Sequence, residues 1–311
     1  MHCEMKLPLT GIVPPMVTPL KGRDELDCEG LERLIEHLLS GGVAGLFILG
    51  TTGEGPSLGY ALRESLIERT CAQVANRVPI LVGITDTAFV ESLKVARVAA
   101  RAGASAVVLA PPYYLPEAQP ELQEYLDHLI PELPLPLFLY NMPALTKVSI
   151  EPDTIRKMMD YRQVIGFKDS SGDMGYFKKV SDLIKARPDW SLLVGPEERL
   201  LDSMQLGGNG GVSGGANMFP ALYVKLAQAF VGGDLARARE LQNQIQRVSD
   251  AIYRVGRHSS AIIKGIKCVL ACRGVCQDFM AEPFHRFRQE ERQKVRQNLA
   301  LIEKEIASLN L

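Results

Sequence analysis

The stretch Val164-Ile-Gly-Phe-Lys168-Asp-Ser-Ser-Gly172 places a lysine at the end of a short apolar run. The run is β-branched or aromatic apart from its glycine and is bounded by polar residues, which is typical of a buried parallel strand. Burial would disfavour the ammonium form of Lys168 and leave a nucleophilic amine near neutral pH. Such an amine can form a Schiff base with a ketone. Alternatively, Lys168 reaches from the strand end into solvent.

Strand-like runs and amphipathic helical patterns alternate over most of the chain. The eight strand-like runs cover residues 12–17, 45–49, 80–84, 106–110, 135–140, 164–168, 191–194 and 211–213. Helical patterns between them include residues 31–39, 63–75, 91–102 and 175–186. Alternating units of this kind indicate an α/β protein with a parallel sheet. Eight units favour a (β/α)₈ TIM barrel over an open doubly wound sheet.

The last part of the chain has a different pattern. Residues 234–311 show helical periodicity, sufficient for about three helices, and no convincing strand-like run. We therefore predict a barrel over residues 1–233 and a C-terminal helical extension over residues 234–311. Because no Pro/Gly/Ser-rich linker separates the two, we expect the extension to pack on the barrel.

Composition excludes several classes of partner. The 311 residues are 46% hydrophobic and carry a formal net charge of −1, with acidic and basic residues interspersed. This balance argues against a nucleic-acid partner and against a membrane-surface role. No apolar run approaches the ~20 residues of a membrane helix. Residues 1–6 contain no apolar signal-peptide segment, so we expect a cytoplasmic protein.

The cysteines give no metal-site pattern. Cys268, Cys272 and Cys276 are spaced four residues apart and could share one helical face. No histidine accompanies them at the spacing that zinc sites use. We interpret them as thiols packed in a helix and predict no metal site. The other three cysteines are scattered along the sequence: Cys3, Cys28 and Cys71.

Two more polar segments follow predicted strands. Gly50-Thr51-Thr52-Gly53 offers closely spaced N–H groups and hydroxyls that can cradle a carboxylate. Tyr140 ends its run, and its hydroxyl can move a proton while a carbinolamine forms and loses water. An ordinary glycine-containing turn and a tyrosine on the barrel rim are the alternatives. Together with Lys168, these segments lie where barrel enzymes place their active sites.

In combination, these segments resemble the dihydrodipicolinate synthase / N-acetylneuraminate lyase family. The matching motifs are Gly50-Thr-Thr-Gly-Glu54, Pro112-Tyr113-Tyr114, Tyr140-Asn-x-Pro143 and Gly166-x-Lys168, in the family's order and spacing. The resemblance covers essentially the whole chain. It implies a (β/α)₈ barrel, usually a homotetramer built as a dimer of dimers, that uses no metal or organic cofactor. It also implies a Schiff base between a lysine and pyruvate or another 2-oxo acid, followed by making or breaking a carbon–carbon bond to an aldehyde.

The resemblance also implies a role for each matching catalytic position. Lys168 matches the Schiff-base lysine, and Tyr140 matches the general acid/base tyrosine. Thr51 and Thr52 match the loop that binds the pyruvyl carboxylate, and Thr51 also matches the proton-relay threonine. Tyr114 matches the tyrosine that completes a relay across a subunit interface in the synthases.

One segment departs from the synthase pattern. Synthases resemble Tyr-Asn-x-Pro-x-Arg-Thr, where the arginine grips the carboxylate of the aldehyde substrate, but this chain has Leu145 at the arginine position. Leucine cannot form that bidentate pair. Lys147, two residues further on, is a candidate replacement cation. The run Pro143-Ala-Leu145 resembles the sialic-acid lyases and the 2-keto-3-deoxy sugar acid aldolases instead.

Further residues are expected to line the barrel mouth. Gly195 and Val212 match positions that line it in the family. Glu197 and Glu198 resemble the lyase segment whose carboxylates accept hydrogen bonds from sugar hydroxyls. Alternatively, the two glutamates are simply favourable at the start of a helix.

The sequence thus predicts a pyruvate-dependent class I aldolase. Its leading reaction is the cleavage or formation of a 2-oxo-3-deoxy sugar acid or a related hydroxy-oxo acid. The first alternative is 4-hydroxy-tetrahydrodipicolinate synthase, which condenses pyruvate with aspartate semialdehyde. An alternative of another class is a non-catalytic, metabolite-binding barrel. The presence of Lys168, Tyr140 and Thr51 argues against that alternative, because function depends on the site rather than on the fold.

Overall fold

The computed structural model describes residues 5–309 and residue 311. The first four residues, which include Cys3, and residue 310 lie outside the described part. Within it, eight parallel strands form one curled sheet, which confirms the predicted (β/α)₈ barrel. The strands in chain order are β1 (Gly11–Ile12), β2 (Leu20–Gly22), β3 (Glu25–Leu26), β4 (Leu46–Ile48), β5 (Ile80–Gly83), β6 (Ala106–Leu109), β7 (Leu137–Asn141), β8 (Val164–Asp169), β9 (Ser191–Val194) and β10 (Gly210–Gly211).

The sheet runs in the order β1-β10-β9-β8-β7-β6-β5-β4. A parallel bridge between Pro15 and Phe47 joins its two ends and closes the barrel. Beyond β1, the predicted run 12–17 makes no regular ladder, because Pro14 and Pro15 have no N–H to donate. The antiparallel hairpin of β2 and β3 was not predicted from the sequence.

Helices follow the strands around the outside of the barrel. They are α1 (Cys28–Ser40), α2 (Tyr60–Val74), α3 (Phe89–Ala102), α4 (Gln119–Leu129), α5 (Pro143–Thr146), α6 (Pro152–Met158), α7 (Met174–Ile184), α8 (Leu200–Gln205), α9 (Pro220–Val231), α10 (Leu235–Tyr253), α11 (Ala261–Cys272) and α12 (Gln289–Ser308). Short 3₁₀ helices cover Gly55–Ser57, Ile130–Glu132, Glu197–Arg199 and Gly214–Asn217. None of the helices in the described residues is long and apolar enough to cross a membrane.

Two separate apolar clusters make up the core. The larger one fills the space between the sheet and the helices. The smaller one includes Phe47, Phe138, Ile165 and Leu193, which come from different strands of the sheet. Tyr140 belongs to this smaller cluster, which places the ring of a predicted catalytic residue among the side chains of the barrel strands.

Three helices follow the barrel, as predicted for the C-terminal extension. Helix α10 packs against α9, and α11 and α12 pack against α10. The division of the chain at residue 233 stays a prediction. The interpretation of three thiols in one helix is wrong for Cys276, because α11 ends at Cys272. Gly274 follows with φ +71°, a left-handed conformation that terminates the helix.

Candidate functional site

The ends of β7 and β8 bring Tyr140 and Lys168 side by side. These two residues are direct partners in the parallel register, so their side chains point to the same face of the sheet. The Nζ atom of Lys168 lies 3.8 Å from the centroid of the Tyr140 ring. From the loop after β4, Oγ1 of Thr51 lies 3.4 Å from the Tyr140 hydroxyl oxygen. Three residues predicted from separate motifs therefore form one cluster.

Lys168 is buried without a carboxylate. Only 5% of the residue is exposed, and its Nζ also lies 4.9 Å from the centroid of the Phe47 ring. Within residues 5–309 and 311, no acidic side chain forms an ion pair with it. Burial lowers the pKa of Lys168, and the Tyr140 hydroxyl opposes that shift only in part. Since the amine is more readily deprotonated than an exposed one, it is suited to attack a carbonyl carbon.

The hydroxyl of Tyr140 lies among groups that favour its ionised form. Burial alone would raise the pKa of Tyr140. The Lys168 ammonium and the hydroxyls of Thr51 and Ser170 outweigh burial, so the pKa is lowered. A phenol with a lowered pKa exchanges protons more easily near neutral pH, as general acid/base chemistry requires.

Ser170 was missed in the sequence analysis. It lies two residues after Lys168, and this spacing places two side chains on one face of an extended segment. A Cβ atom on Gly195 would lie 1.9 Å from Oγ of Ser170, so only glycine fits at that position. The Gly195 N–H donates to the Asp169 carbonyl at 2.7 Å. Gly195 is therefore packed against the end of the strand that carries Lys168.

The Gly50-Thr51-Thr52-Gly53 loop has unused hydrogen-bond donors. The N–H groups of Thr51, Thr52 and Gly53 have no hydrogen-bond partner in the described part of the chain. The loop itself is held by the Thr18 hydroxyl, which donates to the Gly53 carbonyl at 2.6 Å. Successive free N–H groups can form an anion-binding concavity. Binding of the pyruvyl carboxylate by Thr51 and Thr52 stays a prediction.

Asn141 and Asp169 connect the two strand ends. The sequence analysis included Asn141 in a motif without giving it a role, and it missed Asp169. Nδ2 of Asn141 donates to Oδ1 of Asp169 at 2.9 Å, and Oδ1 of Asn141 accepts from the Ile150 N–H at 3.0 Å. Burial raises the pKa of Asp169. Each residue directly follows Tyr140 or Lys168, and adjacency to those residues is the signal that could have identified them. Val212, predicted to line the mouth, is buried in the same apolar cluster as Tyr140.

Leu145 and Lys147, which were predicted to contact the aldehyde, form no hydrogen bond or ion pair with Lys168, Tyr140 or Thr51. Leu145, in α5, is 50% exposed. Lys147 ends α5 in a left-handed conformation, and its Nζ donates to the Ala144 carbonyl at 2.8 Å. The Lys147 ammonium therefore contacts a carbonyl of the turn that carries it. Its role as a replacement cation stays a prediction.

The two predicted glutamates contact the helices that follow the barrel strands. Oε1 of Glu197 accepts from the hydroxyls of Tyr223 at 2.7 Å and Tyr253 at 2.9 Å, while Oε2 accepts from the Gly215 N–H at 2.7 Å. Burial and the neighbouring Glu198 raise the pKa of Glu197 to about 7. The structure does not bring these carboxylates into contact with Lys168 or Tyr140, and their role in binding sugar hydroxyls stays a prediction.

Tyr114 projects from the loop between β6 and α4. It is 81% exposed, and its hydroxyl has no hydrogen-bond partner in the part of the chain that is described. The neighbouring Leu115 is 75% exposed. A role for Tyr114 in a neighbouring subunit's site stays a prediction.

Known sequences resemble this one over most of its length. A model of the dihydrodipicolinate synthetase family matches residues 8–302. A protein of Escherichia coli (strain K12) named a probable 2-dehydro-3-deoxy-D-pentonate aldolase is 31% identical over 289 residues, which cover 92% of this chain and 95% of that protein. A 4-hydroxy-tetrahydrodipicolinate synthase of Thermomicrobium roseum is 35% identical over 246 residues, covering 79% of this chain and 80% of the relative.

Solved structures show the same similarity. A dihydrodipicolinate synthase from Bacteroides thetaiotaomicron has a TM-score of 0.93 and 53% identity, covering 96% of this chain and all of that one. The prophage protein YagE of Escherichia coli K12, solved in complex with pyruvate, has a TM-score of 0.89 and 28% identity, covering 95% of this chain and 99% of the other.

Proposed function

This chain belongs to the dihydrodipicolinate synthetase family, and we propose that it is an aldolase that works through a Schiff base between Lys168 and pyruvate. The proposed reaction is the reversible cleavage of a 2-oxo-3-deoxy sugar acid, or a related hydroxy-oxo acid, to pyruvate and an aldehyde. The observation that supports it most is the buried Lys168 amine beside the Tyr140 hydroxyl, with which no carboxylate of the described residues forms an ion pair.

In the first half of the reaction, the Lys168 amine attacks the C2 ketone of the 2-oxo acid. A carbon–nitrogen bond forms, and the ketone oxygen takes up a proton to give a carbinolamine. Loss of that hydroxyl as water leaves an iminium ion, and the Tyr140 hydroxyl is placed to deliver and recover the protons. Thr51 lies within reach of Tyr140 and links it to the carboxylate-binding loop.

In the second half, the iminium accepts the electron pair of the carbon–carbon bond that breaks. The C4 hydroxyl loses its proton, the C3–C4 bond breaks, and an aldehyde leaves together with an enamine on Lys168. Protonation at C3 restores the iminium, and water then releases pyruvate and the free amine. The reverse sequence forms the bond, and no oxidant or reductant is needed.

Leu145 favours a sugar-acid aldehyde over aspartate semialdehyde. An apolar residue at this position offers no bidentate partner for a second carboxylate. The relative named a probable 2-dehydro-3-deoxy-D-pentonate aldolase supports the same substrate class. The second candidate is 4-hydroxy-tetrahydrodipicolinate synthase activity, because the Bacteroides structure with 53% identity is described as a dihydrodipicolinate synthase.

We also propose a homotetramer in which Tyr114 contacts a neighbouring subunit. The exposure of Tyr114 and Leu115 supports this proposal, because it leaves both side chains accessible to another subunit.

The test combines trapping with a substrate panel. Purified protein is incubated with pyruvate and borohydride, and its mass is measured. A gain of one reduced pyruvyl group per chain supports the Schiff-base chemistry, and an unchanged mass would support the non-catalytic barrel. Pyruvate release from several 2-oxo-3-deoxy sugar acids is then compared with condensation of pyruvate and aspartate semialdehyde. Faster condensation than cleavage would favour the synthase.

A further inference from the structure

A second buried lysine contacts the residue that follows the Gly50-Thr51-Thr52-Gly53 loop. Lys267, in the middle of α11, has a fully buried side chain and forms an ion pair with Glu54. Its Nζ also donates to the Phe279 carbonyl at 2.7 Å. Glu54 is equally inaccessible, since 4% of its side chain is exposed. The helical extension therefore contributes a charge to the interior of the barrel's catalytic end.

Glu54 directly follows the Gly50-Thr51-Thr52-Gly53 loop. Its Oε1 accepts from the Ala281 N–H at 2.9 Å, which is a second contact with the helical extension. Its own N–H donates to the Thr51 carbonyl at 3.0 Å and so closes the loop. Glu54 thus connects the turn that carries Thr51 to two segments of the extension.

The backbone of this loop needs external support. Leu49 before the loop has φ +58°, and Glu54 after it has φ +55°. Residues with a side chain are strained in this left-handed conformation, and such strain persists only where the surroundings hold it. The glycine at position 55 cannot be replaced without strain either, because a Cβ there would lie 2.2 Å from the Leu49 carbonyl oxygen. The contacts of the Glu54 side chain with Lys267 and with the Ala281 N–H supply external support at the end of this loop.

We propose that Lys267 is a positioning residue of the active site, which acts through Glu54 to hold the loop where its free N–H groups and the Thr51 hydroxyl meet the 2-oxo acid. The loop is also connected to the barrel by the Thr18 hydroxyl, which donates to the Gly53 carbonyl, and by the contact between Thr51 and Tyr140. The catalytic consequence of this inference rests on the proposed function. The structural consequence, a loop held in place by Lys267, does not.

Two variants and one control test the proposal. Lys267→Met removes the ammonium and keeps an unbranched side chain. Glu54→Gln removes the opposite charge but keeps an oxygen that can accept from Lys267 and Ala281, and it takes over the test if Lys267→Met does not fold. Leu241→Ala is the control, because it truncates a fully buried side chain of α10 in the same helical extension.

Two experiments are carried out on all three proteins and on the parent. The first is hydrogen exchange of the amides in residues 50–58. The second determines the pyruvate concentration that gives half-maximal borohydride trapping on Lys168, together with the maximal trapped fraction. In Lys267→Met or Glu54→Gln, we expect faster exchange in this segment and a half-saturating pyruvate concentration raised roughly tenfold or more, since a small misplacement of a positioning group has effects of this size. The maximal trapped fraction stays high, because Lys168 itself is unchanged.

The control separates positioning from general stability. Leu241→Ala should lower the melting temperature without changing loop exchange or half-saturation. If the Lys267 and Glu54 variants behave like this control, Lys267 is only structural and the proposal is overturned. If the parent traps no pyruvate, the proposed function fails, and exchange in residues 50–58 alone decides whether Lys267 holds the loop.

Discussion

The Nζ atom of Lys168 lies 3.8 Å from the centroid of the Tyr140 ring, and the two residues are paired in register on adjacent strands. The ring excludes water from the amine while its hydroxyl remains available for proton transfer. Lys267 is also buried, but it is paired with Glu54. Burial lowers the pKa of both lysines, yet among the described residues Lys168 forms no ion pair with a carboxylate. A buried lysine is therefore a candidate nucleophile only when its charge is left unpaired.

Lys168→Ala should abolish the borohydride-stable adduct with pyruvate and nearly all turnover. The fold should persist, since the change removes a desolvated amine that makes no ion pair with any residue that the structure describes. Peptide mapping of the trapped parent should find the label on the peptide that contains Lys168. Label on the peptide that contains Lys267 would contradict the assignment, because that amine is held by Glu54 and Phe279.

The rate of adduct formation should depend on pH through the Lys168 amine. Because burial lowers its pKa below the ordinary value of 10.5, the trapping rate at fixed pyruvate should rise with pH and reach half its maximum below pH 10.5. The midpoint is obtained by measuring the initial rate of borohydride trapping over a pH series. A midpoint at or above the ordinary lysine value would mean that the amine is exposed in solution.

Tyr140→Phe should reduce turnover by the ~10²–10⁴ typical of a lost general acid or base. The ring and its packing remain, so the melting temperature should change little. Tyr176→Phe is a matched control. It likewise removes a tyrosine hydroxyl, one that donates to the Ile150 carbonyl and makes no contact with Lys168. Turnover within a factor of two of the parent in Tyr140→Phe would remove this hydroxyl from the mechanism.

Leu145→Arg should shift the substrate preference toward aspartate semialdehyde. A charge-assisted bidentate contact contributes roughly 1.5–3 kcal/mol, which corresponds to about ten- to a hundredfold in kcat/KM. The measurement compares kcat/KM for semialdehyde condensation and for sugar-acid cleavage in the parent and the variant. If the parent already condenses the semialdehyde as fast as the variant, another group such as Lys147 supplies the cation, and the two candidate functions change rank.

Glu197→Gln should change how stability depends on pH. The pKa of Glu197 is raised from 4.5 to about 7 in the folded protein, so its favourable contribution is complete below about pH 4.5 and is lost as the pH rises through 7. The stability of Glu197→Gln relative to the parent should therefore increase across this window, by on the order of 3 kcal/mol. Urea unfolding from pH 4.5 to 8 measures the difference. A difference that is independent of pH would mean that Glu197 titrates normally.

The amino-acid sequence by itself determined the barrel and the kind of chemistry at its strand ends. Alternating apolar runs and helical patterns are local properties, and six of the eight runs overlap closely with the strands observed. One exception is residues 12–17, where the prolines limit the ladder to Gly11–Ile12. The other is residues 211–213, which share only residue 211 with the strand Gly210–Gly211. A lysine, a tyrosine and a threonine pair that follow buried runs are equally local features. Parallel strands then bring their carboxyl ends to one edge, which is why these side chains meet.

Only the tertiary structure decided which partners these side chains have. Ala281 donates to Glu54 across 227 residues, and Tyr253 donates to Glu197 across 56, and no periodicity links such positions. The direction of the Glu197 carboxylate depends on how α9 and α10 pack, and Lys267 resembles any other helix lysine until its burial is known. Local patterns determine which face of an element is buried. The pairing of polar groups inside that buried region depends on long-range packing, because a buried charge is stable only where the fold brings it a partner.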